Sequence, residues 1–271
     1  MGHAEVITSV HNPKVKEWAS LLDRRGRDKT GCYLVEGPHL VLEALKSDAV
    51  VRTVVYAQDR GIPEELLPWK DRSRWVAASP EVMRKCSDTV HPQGVFAVVE
   101  KWRPSAAPLL EKPDVLAVVT DAVQDPGNLG TIIRSADAAG ADGVILGKGT
   151  VDPYNPKTVR STMGSLFHIP VVEADLAELL PQANARGIRT VCTSLHAARS
   201  CYELDLRQAV WFVVGNEASG VSPSVRQLAT DEVIIPMRGG AESLNVAMAA
   251  TVLLFEAMRQ RIFSPNKNSC P

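Results

Sequence analysis

Residues 246–258, VAMAATVLLFEAM, read as a helix that is apolar on nearly every face. A helix at the surface of a water-soluble domain keeps its apolar residues to one stripe, so this one has to be covered by other protein. Val246, Ala249, Ala250, Val252, Leu253, Leu254 and Met258 make a face too wide for a single sheet contact. The residues just before it differ in character. A strand-like run at 233–235 stops at Pro236, a Gly239-Gly240 loop follows, and Glu242-Ser243-Leu244-Asn245 opens the helix. The first N–H groups of a helix lack internal partners, so Ser and Asn at this corner suit either capping or ligand binding.

Two other segments share the design. Residues 115–119 are a short apolar run of the kind that forms a buried strand. Asp125-Pro126-Gly127-Asn128 follows as turn chemistry. A helix pattern then begins at Leu129, carries Arg134 one turn in, and ends near Gly140. The second segment, WFVVGNEASGVS at 211–222, runs from an apolar strand into a Gly-bounded polar loop with Glu217 at its tip. Ser222-Pro223 then suits a helix start. Each segment alone fits an ordinary strand–turn–helix unit. Three polar loops at the carboxyl ends of parallel-type strands say more, because open α/β sheets bind ligands at that edge.

Together the three segments resemble the signature motifs of the SpoU (TrmH) class of RNA ribose 2′-O-methyltransferases, in the SPOUT superfamily. The first matches through Asp125-Pro126-x-Asn128-x-Gly130 and Arg134, and the second through Gly215-Asn216-Glu217-x-x-Gly220. The third matches through Ile235-Pro236-Met237 and Ser243-Leu244-Asn245-Val246. Order and spacing fit as well, and the resemblance covers roughly residues 114–262.

The rest of the chain reads as a two-domain α/β protein of 271 residues. Pro104, Pro108 and Pro113 mark a linker at 104–113. A small α/β domain at 1–103 precedes it and a parallel-sheet domain at 114–271 follows. Strands are expected near 115–119, 144–146, 169–172, 188–193, 211–214 and 233–235, with helices between most of them. Segments GCYLVEGPHLVLEAL and HPQGVFAVVE resemble the amino-terminal substrate-binding domain often found ahead of the SpoU catalytic domain, itself similar to a kink-turn-binding ribosomal protein. Pattern alone predicts an unknotted Rossmann-like sheet, since knots are nearly absent among proteins. The resemblance implies instead a carboxyl-terminal trefoil knot and a homodimer packed through the last helix.

Charge is uninformative at the level of the whole chain, with a net of −1. Residues 1–103 hold 16 Lys/Arg against 14 Asp/Glu, and the remainder 14 against 17. A local cluster at Lys14, Lys16, Arg24, Arg25, Arg27 and Lys29 suits either a solvated helix face or a phosphate-contacting surface. Five scattered cysteines carry no zinc spacing and suit reduced thiols, and no metal is expected. No apolar run is long enough for a membrane span and the start lacks a signal core, so a cytoplasmic protein is expected. Dinucleotide, Walker and nucleophile-elbow motifs are absent. Gly147-Lys148-Gly149 reads as a turn, and His196 as a loop residue.

The resemblance implies methyl transfer from S-adenosyl-L-methionine to a ribose 2′-hydroxyl of structured RNA, with ribosomal RNA favoured over transfer RNA. The cofactor is expected across Thr193, Ser194 and Leu195, across Gly215, Asn216 and Gly220, and across Ile235, Met237, Ser243, Leu244 and Asn245. Arg134 is the expected catalytic residue and an RNA contact, with Asn128, Glu217, Ser243 and Asn245 holding it and the loops in place. Base methylation and a non-catalytic RNA-binding role are the competing readings. The SpoU form of the motifs argues against the first, and intact Asn128, Arg134, Glu217, Ser243 and Asn245 against the second.

Overall fold

A computed structural model describes residues 6–263. In chain order its elements are β1 (Val6–Ile7), α1 (Pro13–Ser20), α2 (Arg24–Thr30), β2 (Cys32–Glu36), α3 (Pro38–Lys46), β3 (Val51–Ala57), β4 (Arg74–Ala78), α4 (Pro80–Lys85) and β5 (Val95–Glu100). They continue with α5 (Ala107–Glu111), β6 (Leu116–Thr120), α6 (Pro126–Ala138), β7 (Gly143–Leu146), α7 (Pro156–Ser161), β8 (Val171–Glu173) and α8 (Leu176–Ala185). The last are β9 (Arg189–Thr193), β10 (Val210–Val214), α9 (Pro223–Arg226), β11 (Asp231–Val233) and α10 (Val246–Ile262). Five of the helices begin after an Asn or Asp whose side chain accepts a backbone N–H of the first turn: Asn12, Asp125, Asn155, Asp175 and Asn245. Each cap satisfies donors the helix cannot satisfy itself.

The described residues form two compact units, 6–102 with 152–168, and 103–151 with 169–263. Residues 152–168, which the sequence predicts to be part of the second domain, group with the first unit. The first unit is built on a mixed five-stranded sheet, ordered β1-β4-β3-β5-β2. Trp18, Leu34, Val55, Val76 and Phe96 belong to its core. Strand β4 and helix α2 have no periodic signature in the sequence. The close approach of α1 to α2 sets the path there: a Cβ on Gly26 would lie 2.0 Å from the carbonyl oxygen of Ser20.

Arg27, on α2, corrects one expectation. It is only 2% exposed and cannot belong to an exposed basic surface. Its Nε donates to Asp152 at 2.9 Å, and its Nη1 donates to the carbonyl oxygens of Leu21 and Leu22 at 2.9 and 2.8 Å. A buried guanidinium needs such a set of acceptors, because a charge taken out of water is costly unless paired. The cluster is thinner in other ways too: Arg24 pairs with Asp28, and Lys14 is half-buried. Lys16, Arg25 and Lys29 remain exposed.

The second unit carries a six-stranded sheet, ordered β11-β9-β10-β6-β7-β8, with every pairing parallel. Side chains alternate between its two faces. Ala117, Val119, Ile145, Trp211 and Val213 pack with α5, α8 and α9 on one face. On the other, α6 packs against β6 and β7, and α10 against α6 and β10. Helices therefore cover both faces, as an all-parallel buried sheet requires. The proline-marked stretch 104–113 is not wholly irregular, because α5 lies within it and buries Leu109 and Leu110. Pro108 sits in the first turn of α5, where its missing N–H costs nothing. Among the described residues no helix is long and apolar enough to cross a membrane.

Candidate functional site

Strands β11, β9, β10 and β6 are consecutive neighbours and parallel, so the loops that follow them emerge side by side along one edge of the sheet. Those loops hold Thr193–Leu195, Gly215–Gly220, residues 235–245 and residues 121–128. All three sequence motifs and the segment 193–195 are thus brought to one edge by strand order. Arg134, the last residue of the first motif, stands exposed on α6, and its side chain has no hydrogen bond or ion pair to another described residue.

Side-chain amides tie the three motifs together. Asn128 Nδ2 donates to the Glu217 carboxylate at 3.0 Å, and Asn245 Nδ2 donates to Asn128 Oδ1 at 3.0 Å. The carboxylate only accepts, which fixes the orientation of the Asn128 amide and through it that of Asn245. Asn245 Oδ1 is then turned to cap α10, accepting the N–H of Ala247 at 2.9 Å. Asn245 is therefore both a helix cap and a link to α6. Glu217 also accepts the backbone N–H groups of Gln124 and Asp125 at 3.1 and 3.0 Å. Partial burial pushes its carboxyl pKa up. The bonds from Asn128 and these two N–H groups outweigh that and hold it below the usual glutamate value.

The second loop is closed on itself. Asn216 and Gly220 exchange backbone hydrogen bonds, each 2.9 Å, and Asn216 Nδ2 donates to the Ala122 carbonyl at 3.0 Å. A Cβ on Gly215 would lie 2.0 Å from the carbonyl carbon of Gly220, so only glycine fits. Asp121 accepts the N–H of Ser222 at 2.7 Å and Arg226 donates to Ser194 Oγ at 3.1 Å. Sequence reasoning missed both supports. Asp121 had a signal, as the first polar residue after the apolar run, but Arg226 had none, because its place depends on Glu232, its partner across the sheet edge.

Beside these bonded groups lies apolar surface. Leu195 and Leu244 are 56% and 37% exposed, and Ile235 and Met237 are half-buried. Ser243 is exposed, Thr193 and Ser194 are half-buried, and Gly215 is buried. Among the described residues, 235–244 donate no backbone hydrogen bond. Exposed aliphatic side chains beside unpaired backbone N–H groups suit an adenosine, whose ring is flat and apolar on its faces and polar on its edge. No group of three or more His, Cys, Asp or Glu able to hold a metal comes together among the described residues.

Comparison with known proteins agrees with this arrangement. The profile of the SpoU rRNA Methylase family matches residues 115–255, and that of the MRM3-like substrate binding domain matches residues 12–97. The chain is 38% identical to the 23S rRNA (guanosine(2553)-2′-O)-methyltransferase RlmP of Bacillus subtilis, covering 92% of this chain and 97% of that protein. It is 36% identical to the 23S rRNA (uridine(2479)-2′-O)-methyltransferase of Streptomyces viridochromogenes, covering 96% and 93%. The crystal structure of the SpoU methyltransferase AviRb from Streptomyces viridochromogenes, in complex with AdoMet, superposes with a TM-score of 0.86. That match is at 36% identity and covers 93% of this chain and 99% of the other. An AdoMet-bound rRNA methyltransferase from Sinorhizobium meliloti superposes with a TM-score of 0.85 at 34% identity, covering 97% and 100%. With three motifs bonded together at one sheet edge and relatives matched along almost its full length, the chain belongs to the SpoU rRNA methylase family.

Proposed function

We infer that the protein transfers a methyl group from S-adenosyl-L-methionine to a ribose 2′-hydroxyl of ribosomal RNA. The observation that carries this is the Glu217–Asn128–Asn245 chain of hydrogen bonds, which joins all three motifs at the edge where the adenosine-suited surface lies. The relatives' activities on 23S rRNA support the substrate class.

The loops at 193–195, 215–220 and 235–245 would hold the cofactor, with Leu195, Leu244, Ile235 and Met237 against the adenosine and backbone groups on its edge. Bound there, the sulfonium supplies an electrophilic methyl group. This chain's own residues orient the acceptor and stabilise its charge. A ribose hydroxyl is a poor nucleophile until its developing negative charge is offset. Arg134 does this as a cation facing the 2′-oxygen and the adjoining phosphate while the hydroxyl's proton passes to water and S-adenosylhomocysteine leaves, since a guanidinium does not itself accept or release the proton near neutral pH. Asn128 and Asn245 hold α6 to the loop at 235–245, and Glu217 anchors that pair. Lys16, Arg25 and Lys29 remain available to RNA phosphates.

Two further features belong to the same reading. The chain closes a trefoil knot. Strand β11 lies at the outer edge beyond β9, yet the helix that follows it returns to pack on β10 and α6, so residues 234–245 cross the ends of intervening strands. The protein is a homodimer through α10, whose Met248, Phe255 and Ile262 lie on one face at seven-residue spacing and are 46%, 40% and 59% exposed. The protein works in the cytosol, in keeping with free, buried Cys32, Cys86, Cys192 and Cys201.

The test is transfer of tritium from labelled S-adenosyl-L-methionine into in-vitro-transcribed 23S rRNA, followed by alkaline hydrolysis. The expected product is a labelled dinucleotide resistant to alkali, because a methylated 2′-oxygen cannot attack the neighbouring phosphate. Label released as a mononucleotide would move the acceptor to a base.

A further inference from the structure

Most cations of the second unit are neutralised or tethered within it. Lys112 pairs with Asp142, Arg189 and Arg199 with Asp231, Arg207 with Asp205, Arg226 with Glu232 and Arg259 with Glu256. Arg186 and Arg261 donate to backbone carbonyls. Among the described residues of this unit, four cations have no such partner: Arg103, Arg134, Lys148 and Arg238. Arg103 is at the junction of the two units. Lys148 and Arg238 stand in loops at the carboxyl edge of the sheet, and Arg134 lies about two turns into α6, the helix that starts from that edge.

Lys148 is the tip of the turn after β7, and that turn is firmly placed. Gly147 N–H donates to the Thr120 carbonyl at 2.8 Å and Val151 N–H to the Val123 carbonyl at 2.9 Å. Gly149, at φ +89°, sits so close to Ala122 that an added Cβ would lie 3.1 Å from the alanine's own. The turn is thus fastened to the loop that leads to Asn128, and it leaves Lys148 exposed. Arg238 projects from the loop after β11, beside Gly239 and Gly240, where an added Cβ would meet nothing within 4 Å. Glu242 is the single carboxylate on that loop. Strands β7 and β11, which precede Lys148 and Arg238 in the chain, are four spacings apart, roughly 19 Å, and the loop that carries Arg238 runs from β11 back to α10. Arg134 is on the helix that follows β6, a strand that lies between β7 and β11 in the sheet.

We propose that Lys148 and Arg238 contact RNA phosphates on opposite sides of the nucleotide that Arg134 serves, so that the substrate strand runs along the carboxyl edge of the sheet from the β7 turn to the β11 loop. Exposed cations at a ligand-binding edge, not neutralised by neighbouring carboxylates, raise the local concentration of anionic groups there and favour phosphate. This rests on the ribose-methylation reading for the identity of the substrate, and phosphate contact is separately measurable.

The experiment measures binding of in-vitro-transcribed 23S rRNA to the full-length protein across a salt series, with methyl transfer followed in parallel. Lys148→Gln and Arg238→Gln are each expected to weaken binding about tenfold at low salt and to reduce the slope of log Kd against log salt by about one. Lys148→Arg and Arg238→Lys, which keep the charge, should restore the slope. Affinity for S-adenosylhomocysteine should stay within about twofold in the two Lys148 variants, since Lys148 lies outside the cofactor loops. Arg207→Gln, which removes an exposed cation already paired with Asp205, should leave the slope unchanged. An unchanged slope in Lys148→Gln or Arg238→Gln removes that residue from the RNA path, because a merely structural role alters affinity without altering ion release. Normal slopes for wild type with no methyl transfer would instead count against the reaction and leave the phosphate contacts standing.

Discussion

Asn245 donates its side-chain amide to that of Asn128 at 3.0 Å, across 117 residues of sequence. The bond joins the first turn of α6 to the cap of α10, and through Asn128 it reaches Glu217 in a third loop. Asn245→Ala removes this link and the cap together. Loss of the cap alone is expected to cost about 1 kcal/mol of stability. Because Asn245 also closes the 235–245 loop, the variant should bind S-adenosylhomocysteine more weakly and turn over more slowly. Calorimetry and single-turnover transfer read the two effects. Cofactor affinity equal to wild type would show that the cap is its only role.

The Arg134 side chain has no partner among the described residues, so its removal should disturb little but the reaction. Arg134→Ala is expected to keep cofactor affinity and melting temperature while losing at least about 10²-fold in rate, the scale for removing one donor to a developing oxyanion. A near-normal rate would leave the ribose chemistry in place and remove Arg134 from it.

Glu217 predicts a pH dependence. Its folded-state pKa lies below the ordinary value, so its hydrogen bonds stabilise the protein above that value, about 4.3, and the contribution is lost as pH falls through the depressed one. Glu217→Gln should therefore melt below wild type at neutral pH, and the gap should close as the pH is lowered from about 5 to about 3. Thermal melts of both proteins across that range provide the measurement. A gap independent of pH would mean that the carboxylate's charge is not what its partners hold.

Arg27 predicts a stability effect away from the site. Removing one partner of a buried pair leaves the other charge unmatched, and Arg27→Ala is expected to cost about 3–5 kcal/mol. Arg27→Lys should recover only part, because an ammonium cannot reach Asp152 and the carbonyls of Leu21 and Leu22 with the same fork. Denaturant titration of the three proteins checks the order.

The exposed stripe on α10 predicts assembly. Phe255→Glu should shift a homodimer to monomer in sedimentation at low micromolar concentration, because burying a carboxylate in an apolar interface is unfavourable. A wild type that already sediments as a monomer would end the proposal.

The sequence by itself determined most of the strands of the second unit, although the run expected at 233–235 is β11 at Asp231–Val233, because residues 234 and 235 pass into the loop that leads to α10, and the run expected at 169–172 is β8 at Val171–Glu173. Short apolar runs stopped by Gly, Pro and Asn are local signals, and residues 115–119 and 211–214 each fall within one residue of β6 and β10. It also determined which residues the three motifs contain, because motif chemistry rests on residue identity and spacing. Only the tertiary structure decided how they are used. Nothing local says that Asn245 would spend one end of its amide on its own helix and the other on Asn128, or that Arg226 would steady Ser194. Arg27 shows the same limit. In sequence it is one of six neighbouring cations, and in the fold it is buried against Asp152, 125 residues away. Burial and long-range pairing depend on which segments the sheet order brings together, and that order is a property of the whole packed chain, set by strand pairing and helix cover over hundreds of residues.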